Sequence, residues 1–124
     1  MRYFITRKFD KLLRGHKLKR KTLLEVVKSI TSGNSVSLGK KLYKTRMRTA
    51  GKGKSGGYRT ITYVKTGSRI IFLVLFAKNE RENLTESELA ALKIYAMELD
   101  KLTQNEIDAL MHDGSMHELH FNQE

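Results

Sequence analysis

The chain has 124 residues, 40% of them apolar, and a formal net charge of +11. This length and apolar content support a single domain over residues 1–124 with one modest core. No run of 18 uninterrupted apolar residues is present to cross a membrane, and no apolar signal-peptide stretch follows the basic start "MRYFITRKFDK". The absence of cysteine excludes disulfides, thiolate metal sites and cysteine nucleophiles, and fits a reducing cytoplasm.

In chain order, "RYFI" predicts a short strand. "RKFDKLLR" (7–14) places Phe9, Leu12 and Leu13 at helical spacing, and Gly15 interrupts. "KLKRKTLLEVVKSIT" predicts a second helix with Leu23, Leu24, Val27 and Ile30 on one stripe and Gly33-Asn34 as its stop. From Leu42 the period becomes two: Leu42, Lys44, Arg46 and Arg48 share one face of a strand, Tyr43, Thr45, Met47 and Thr49 the other. "YRTITYV" (58–64) is a strand by β-branched and aromatic content, "KTGS" a turn, and "RIIFLVLFA" (69–77), apolar on both faces, a central buried strand. Together they suggest an antiparallel meander. "TESE" (85–88) and "TQNE" (103–106) are capping boxes opening two helices, the first with Leu89, Leu92, Ala96 and Leu99 at core spacing, the second ended by Gly114. "MHELHF" alternates as an edge strand would.

The charge is unevenly distributed. Residues 1–81 carry 22 Lys/Arg against Asp10, Glu25 and Glu80, a net of +19; residues 82–124 carry two Lys against ten acids, a net of −8. Such a positive surplus costs self-repulsion, and binding a polyanion is the usual compensating benefit. Lys17, Lys19, Arg20 and Lys21 sit near the start of the second helix, the wrong end for its dipole, which hints at RNA contact rather than stability. The acidic region could fold over the basic face or supply an amphipathic helix packed on the sheet.

"GKGKSGGYR" (51–59) concentrates the question. Its "GKS" is no nucleotide P-loop: Arg48 stands where that motif needs glycine, and a strand rather than a helix follows. Gly56-Gly57 suits a hairpin connection. The turn does not explain the cations: Lys44, Arg46 and Arg48 on one strand face, Lys52, Lys54 and Arg59 around the loop. Like charges on one sheet face are destabilising, so this surface suits an RNA phosphate, for binding or for chemistry. RNA cleavage by its own 2′-OH needs that hydroxyl deprotonated, the phosphorane charge stabilised and the 5′-oxygen protonated. Arginine suits the second task, and a lysine crowded by cations suits the others. His16, His112, His117 and His120 all lie outside the basic strands, His117 and His120 are poor metal co-ligands, and no acidic pair has spacing that suggests Mg²⁺. No cofactor is implied. Acid–base groups of this kind need an external agent to hold the RNA in place.

"GKKLYKTRMRTAGKGKSGGYRTITYV" followed by "IIFLVLFAKNERENLTESELAALK" resembles the RelE/HigB-type toxins of bacterial type II toxin–antitoxin systems, within the RelE/ParE superfamily, over roughly residues 36–97. The resemblance implies an α+β fold in which an antiparallel β-sheet packs against N-terminal helices and a C-terminal helix, with a C-terminal helical and strand extension from about residue 103. It implies a ribosome-dependent endoribonuclease acting on mRNA without a metal, with contacts to rRNA. A cognate antitoxin, often with a helix-turn-helix domain, would neutralise it. By position, Lys44 and Arg46 fall on the strand that carries catalytic basic residues. Arg59 in "GGYR" matches the phosphate-stabilising arginine, and Lys78 in "FAKNER" falls where another active-site base is common. Lys52 and Lys54 match RNA or ribosome contacts. The chain departs from some relatives at Asn79, where they have Arg, and at Leu84-Thr85, where they have Tyr. Two other functions fit the same scaffold: a ParE-type toxin that inhibits DNA gyrase, and RNA binding without cleavage.

Overall fold

The computed structural model describes residues 1–48 and 57–121. Among these the chain forms six strands and four helices: β1 (Arg2–Thr6), α1 (Arg7–Gly15), α2 (Leu23–Thr31), β2 (Val36–Gly39), β3 (Leu42–Met47), β4 (Tyr58–Lys65), β5 (Arg69–Ala77), α3 (Glu86–Asp100), α4 (Gln104–His112) and β6 (Met116–Leu119). The strands make one sheet in the order β2-β3-β4-β5-β1-β6. The expected meander β3–β4–β5 is antiparallel. The sheet is mostly antiparallel, as expected; one seam differs, where β1 runs parallel to β5, because α1 and α2 carry the chain away from β1 before the meander starts.

Helices cover both faces of the sheet, which is why β5 is apolar on both sides. On one face Phe9 and Leu13 of α1 and Leu23, Val26 and Val27 of α2 pack on Ile5, Met47, Ile70 and Phe72. On the other, Ala96 and Leu99 of α3 and Ile107 of α4 pack on Phe4, Leu42, Ile61, Tyr63 and Ile71. Three of the four helices start on a threonine side-chain cap, and α2 has none. The Thr6 hydroxyl accepts from the Phe9 N–H (3.0 Å). Thr85 and Glu88 exchange both capping-box bonds (3.1 and 2.8 Å), as do Thr103 and Glu106 (3.2 and 2.8 Å).

Two local expectations are corrected. The second helix starts at Leu23, not at Lys17; Lys17 adopts a left-handed φ of 58°, and a 3₁₀ turn over Arg20–Thr22 intervenes. The cations therefore precede the helix rather than occupy its first turn, and Val26 takes the core position expected of Leu24. Strand β2 was not anticipated. It pairs antiparallel with β3 through a turn that puts Gly39, Lys40 and Lys41 at positive φ. Lys-Lys gives little signal for such a turn, where Asn-Gly is the usual marker.

Candidate nucleic-acid interface

The face shared by β3 and β4 changes character along its length. Leu42, Ile61 and Tyr63 lie under α3 and are fully buried. Beyond them the same face carries Lys44, Arg46 and Arg59. Arg46 and Arg59 are cross-strand partners, and Lys44 sits two residues back along β3. Two anchors set where the helical cover stops. The Tyr63 hydroxyl donates to Asp100 Oδ1 at the C-terminal end of α3 (2.5 Å), and Lys41 Nζ meets the same oxygen at 2.8 Å. Lys41 and Tyr63 together hold the Asp100 carboxyl down at about 2. Burial, then the bond to Asp100, pushes the Tyr63 phenol far up.

Past this cover lies a hollow of about 330 Å³ lined by Asn34, Val36, Lys44, Arg46, Arg59, Glu82 and Asn83. Lys44 Nζ donates to Asn83 Oδ1 at 2.6 Å. Among the described residues, neither Arg46 nor Arg59 forms an ion pair. The far wall is the segment between β5 and α3, and Arg81 organises it. Its guanidinium lies over the Phe76 ring at 5.4 Å, pairs with Glu88, and donates to the Asn83 carbonyl from Nε (3.1 Å) and Nη2 (3.0 Å). Arg81, then the Thr85 N–H, hold the Glu88 carboxyl at about 2, and Glu88 in turn raises the Arg81 guanidinium. Cations at this spacing with open N–H groups suit a phosphate and its flanking oxygens.

The other sequence-derived candidates do not share the hollow. Lys78 is exposed one residue past β5; its N–H donates to the Gly57 carbonyl (3.2 Å), and its side chain is not part of the lining. Arg48 departs from the expected face because β3 ends at Met47. Its N–H donates to Glu25 Oε2 (3.1 Å), and its side chain borders a second hollow with Lys21, Glu25 and Lys28 on the α2 side. Arg20 pairs with Asp10 at 3.2 Å and faces Glu118, His120 and Phe121, while Lys17 and Lys19 are exposed in the connection between α1 and α2. Lys52 and Lys54 lie outside the described residues.

Asn34, Val36, Arg81, Glu82 and Asn83 were not anticipated as site residues. Only Arg81 had a sequence signal, as the last residue of "FAKNER"; Asn83 lies 39 residues from Lys44 and gave none. Among the described residues, no group of three or more His, Cys, Asp or Glu is placed to hold a metal ion. No helix there is long and apolar enough to cross a membrane. A larger groove of about 560 Å³ runs along β5 between α1 and α3, but its lining is mainly apolar and of its two cations Arg81 is already paired with Glu88. The cationic hollow is therefore the better seat for an anion.

A family model described as "RelE toxin of RelE / RelB toxin-antitoxin system" matches residues 1–119. The chain belongs to the RelE toxin family. It is thus a toxin of a toxin–antitoxin system with a cognate antitoxin as partner, and its mostly antiparallel six-stranded α+β fold agrees with that membership. A comparison with curated proteins found no match.

Proposed function

We propose that this RelE-family toxin is a ribosome-dependent, metal-independent endoribonuclease of the HigB-like branch that cuts mRNA and stops translation in the cytoplasm. The 124 residues act as one toxin domain. The 2′-oxygen attacks the adjacent phosphorus, the bond from phosphorus to the 5′-oxygen breaks, and the products carry a 2′,3′-cyclic phosphate and a 5′-OH. Arg59 stabilises the charge on the phosphorane. Lys44 and Arg46 share proton transfer and charge with Lys78, whose side chain lies outside the lining of the hollow and would reach the RNA from the end of β5. Arg48, Lys52, Lys54, Lys17, Lys19 and Arg20 contact RNA of the message or the ribosome. The ribosome positions the strand, and an antitoxin with a helix-turn-helix domain neutralises the toxin.

The observation that carries this reading is the common hollow of Lys44, Arg46 and Arg59, with the last two directly opposed and unpaired by acids among the described residues. A gyrase inhibitor has no evident use for such a hollow. The test is cleavage of message on programmed ribosomes by wild type and Arg59→Ala. Loss of one phosphate-stabilising donor costs on the order of 10²–10³ in rate. Full-speed cutting by Arg59→Ala would remove its assignment; intact message with the wild-type toxin present would remove the nuclease.

A further inference from the structure

We infer that Asn83 is a positioning residue for Lys44, and that Arg81 acts through Asn83. This rests on the cleavage reading of the hollow given above. A lysine on a sheet face has four rotatable bonds and samples many rotamers. Here one N–H of the ammonium is taken by Asn83 Oδ1 at 2.6 Å, which leaves two for an anion in the hollow. The acceptor is a neutral amide, so Lys44 is oriented without its charge being cancelled, as a carboxylate would do. Asn83 needs support of its own, because it is exposed in the segment between β5 and α3. Arg81 supplies it: two N–H groups grip the Asn83 carbonyl, while the guanidinium is fixed by Glu88 in the first turn of α3 and by the Phe76 ring of β5. The path from rigid core to reactive lysine is therefore Phe76 and Glu88, Arg81, Asn83, Lys44. A misplacement of about 1 Å in a reacting group can cost 10²-fold in rate.

The experiment uses the full chain and ribosomes programmed with a defined message. Single-turnover cleavage is measured against ribosome concentration for wild type, Asn83→Leu, Arg81→Lys, Lys44→Ala and the double variant Lys44→Ala/Asn83→Leu. In parallel, the ¹⁵N–¹H correlation of the Lys44 ammonium is recorded on the free toxin. Asn83→Leu is expected to lower the saturating rate about 10-fold to 10²-fold with the half-saturating ribosome concentration unchanged, and to abolish the protected ammonium signal. Arg81→Lys should do the same more weakly, since a single ammonium cannot reproduce the fork. Within the Lys44→Ala background, adding Asn83→Leu should change the rate less than about twofold. Equal losses in both backgrounds would overturn the inference, because Asn83 would then act on RNA or on the fold directly. An ammonium signal untouched by Asn83→Leu would overturn it too. Failure of wild type to cut any ribosome-bound message would instead refute the nuclease reading, and the ammonium signal would still decide whether Asn83 holds Lys44.

Discussion

Replacing Arg46 with Thr should make the protein harder to unfold and slower to cut RNA. Arg46 faces Arg59 directly across the β3–β4 ladder, and Lys44 lies two residues along on the same side. Unit charges 5–6 Å apart in water repel by about 0.7–0.8 kcal/mol, and a second neighbour at roughly 7 Å adds about 0.6. At physiological ionic strength, with a Debye length of ~8 Å, each falls to roughly half or less. The expected gain is then about 0.6 kcal/mol, inside the range of ~0.2–1 kcal/mol for cross-strand pairs. For a chain of this size that raises Tm by roughly 2 °C. Thr also has good strand propensity, so a gain alone would be ambiguous. Salt separates the causes: relief of repulsion shrinks at about 1 M NaCl, where the Debye length is ~3 Å, and a propensity effect does not. The assay is thermal unfolding at low and high salt, with cleavage of ribosome-bound message on the same preparations. Cleavage should fall on the order of 10²-fold. A variant that unfolds earlier than wild type, or gains equally at both salt concentrations, would refute the repulsion; one that cuts at full rate would refute the role in the hollow.

Other substitutions test the scaffold. Phe72→Ala, which empties a fully buried site where the ring meets Phe9 at 5.4 Å, should cost about 3–5 kcal/mol by urea unfolding. Thr85→Ala removes the acceptor for the Glu88 N–H and should cost roughly 1 kcal/mol, read as a lower denaturation midpoint with an unchanged m-value. Asp100 has a folded pKa depressed from 3.8 to about 2, so its contribution is present above its unfolded value and is lost as pH falls through about 2. Asp100→Asn should therefore lower Tm at pH 7, and the gap to wild type should close between about pH 4 and pH 2; a gap independent of pH would refute the pairing with Lys41 and Tyr63.

Much of the fold could be read locally. Both capping boxes, the turn before β5 and the double-sided apolar run of β5 are encoded within a few residues each, and all appear where expected. What escaped was encoded at a distance. The parallel pairing of β1 with β5 depends on how α1 and α2 cross the sheet, which no window around "RYFI" contains. β2 is only four residues long, VSLG, and only Leu38 of it packs on the core, which leaves too short an alternation to mark a strand. The alternation that places Lys44 and Arg46 on one face was read correctly up to Met47. It was extended one residue too far to Arg48, because a strand's end is set by its partner's reach. The contact of Asn83 was invisible for the same reason as the pairing of β1: its partner Lys44 lies on β3, 39 residues away in the chain.

The acidic C-terminal third explains how so basic a molecule keeps its hollow cationic. Two dispositions were open for it, a cover over the basic face or a helix packed on the sheet. Among the described residues, three of its carboxylates pair with cations outside the lining of the hollow: Asp100 with Lys41, Glu88 with Arg81 and Glu118 with Arg2. α3 buries Ala96 and Leu99 on the sheet, and Asp100 in its last turn fixes it beside Tyr63, where the strands are still apolar. Among the described residues, Glu82 is the only acid that lines the hollow. If α3 were docked further along β3 and β4, it would bury Lys44, Arg46 and Arg59 against hydrocarbon at a cost of several kcal/mol per charge. The cations thus limit the helix as much as the helix exposes the cations. The boundary between Ile61 and Arg59 on β4 marks where the core ends and the cationic surface begins.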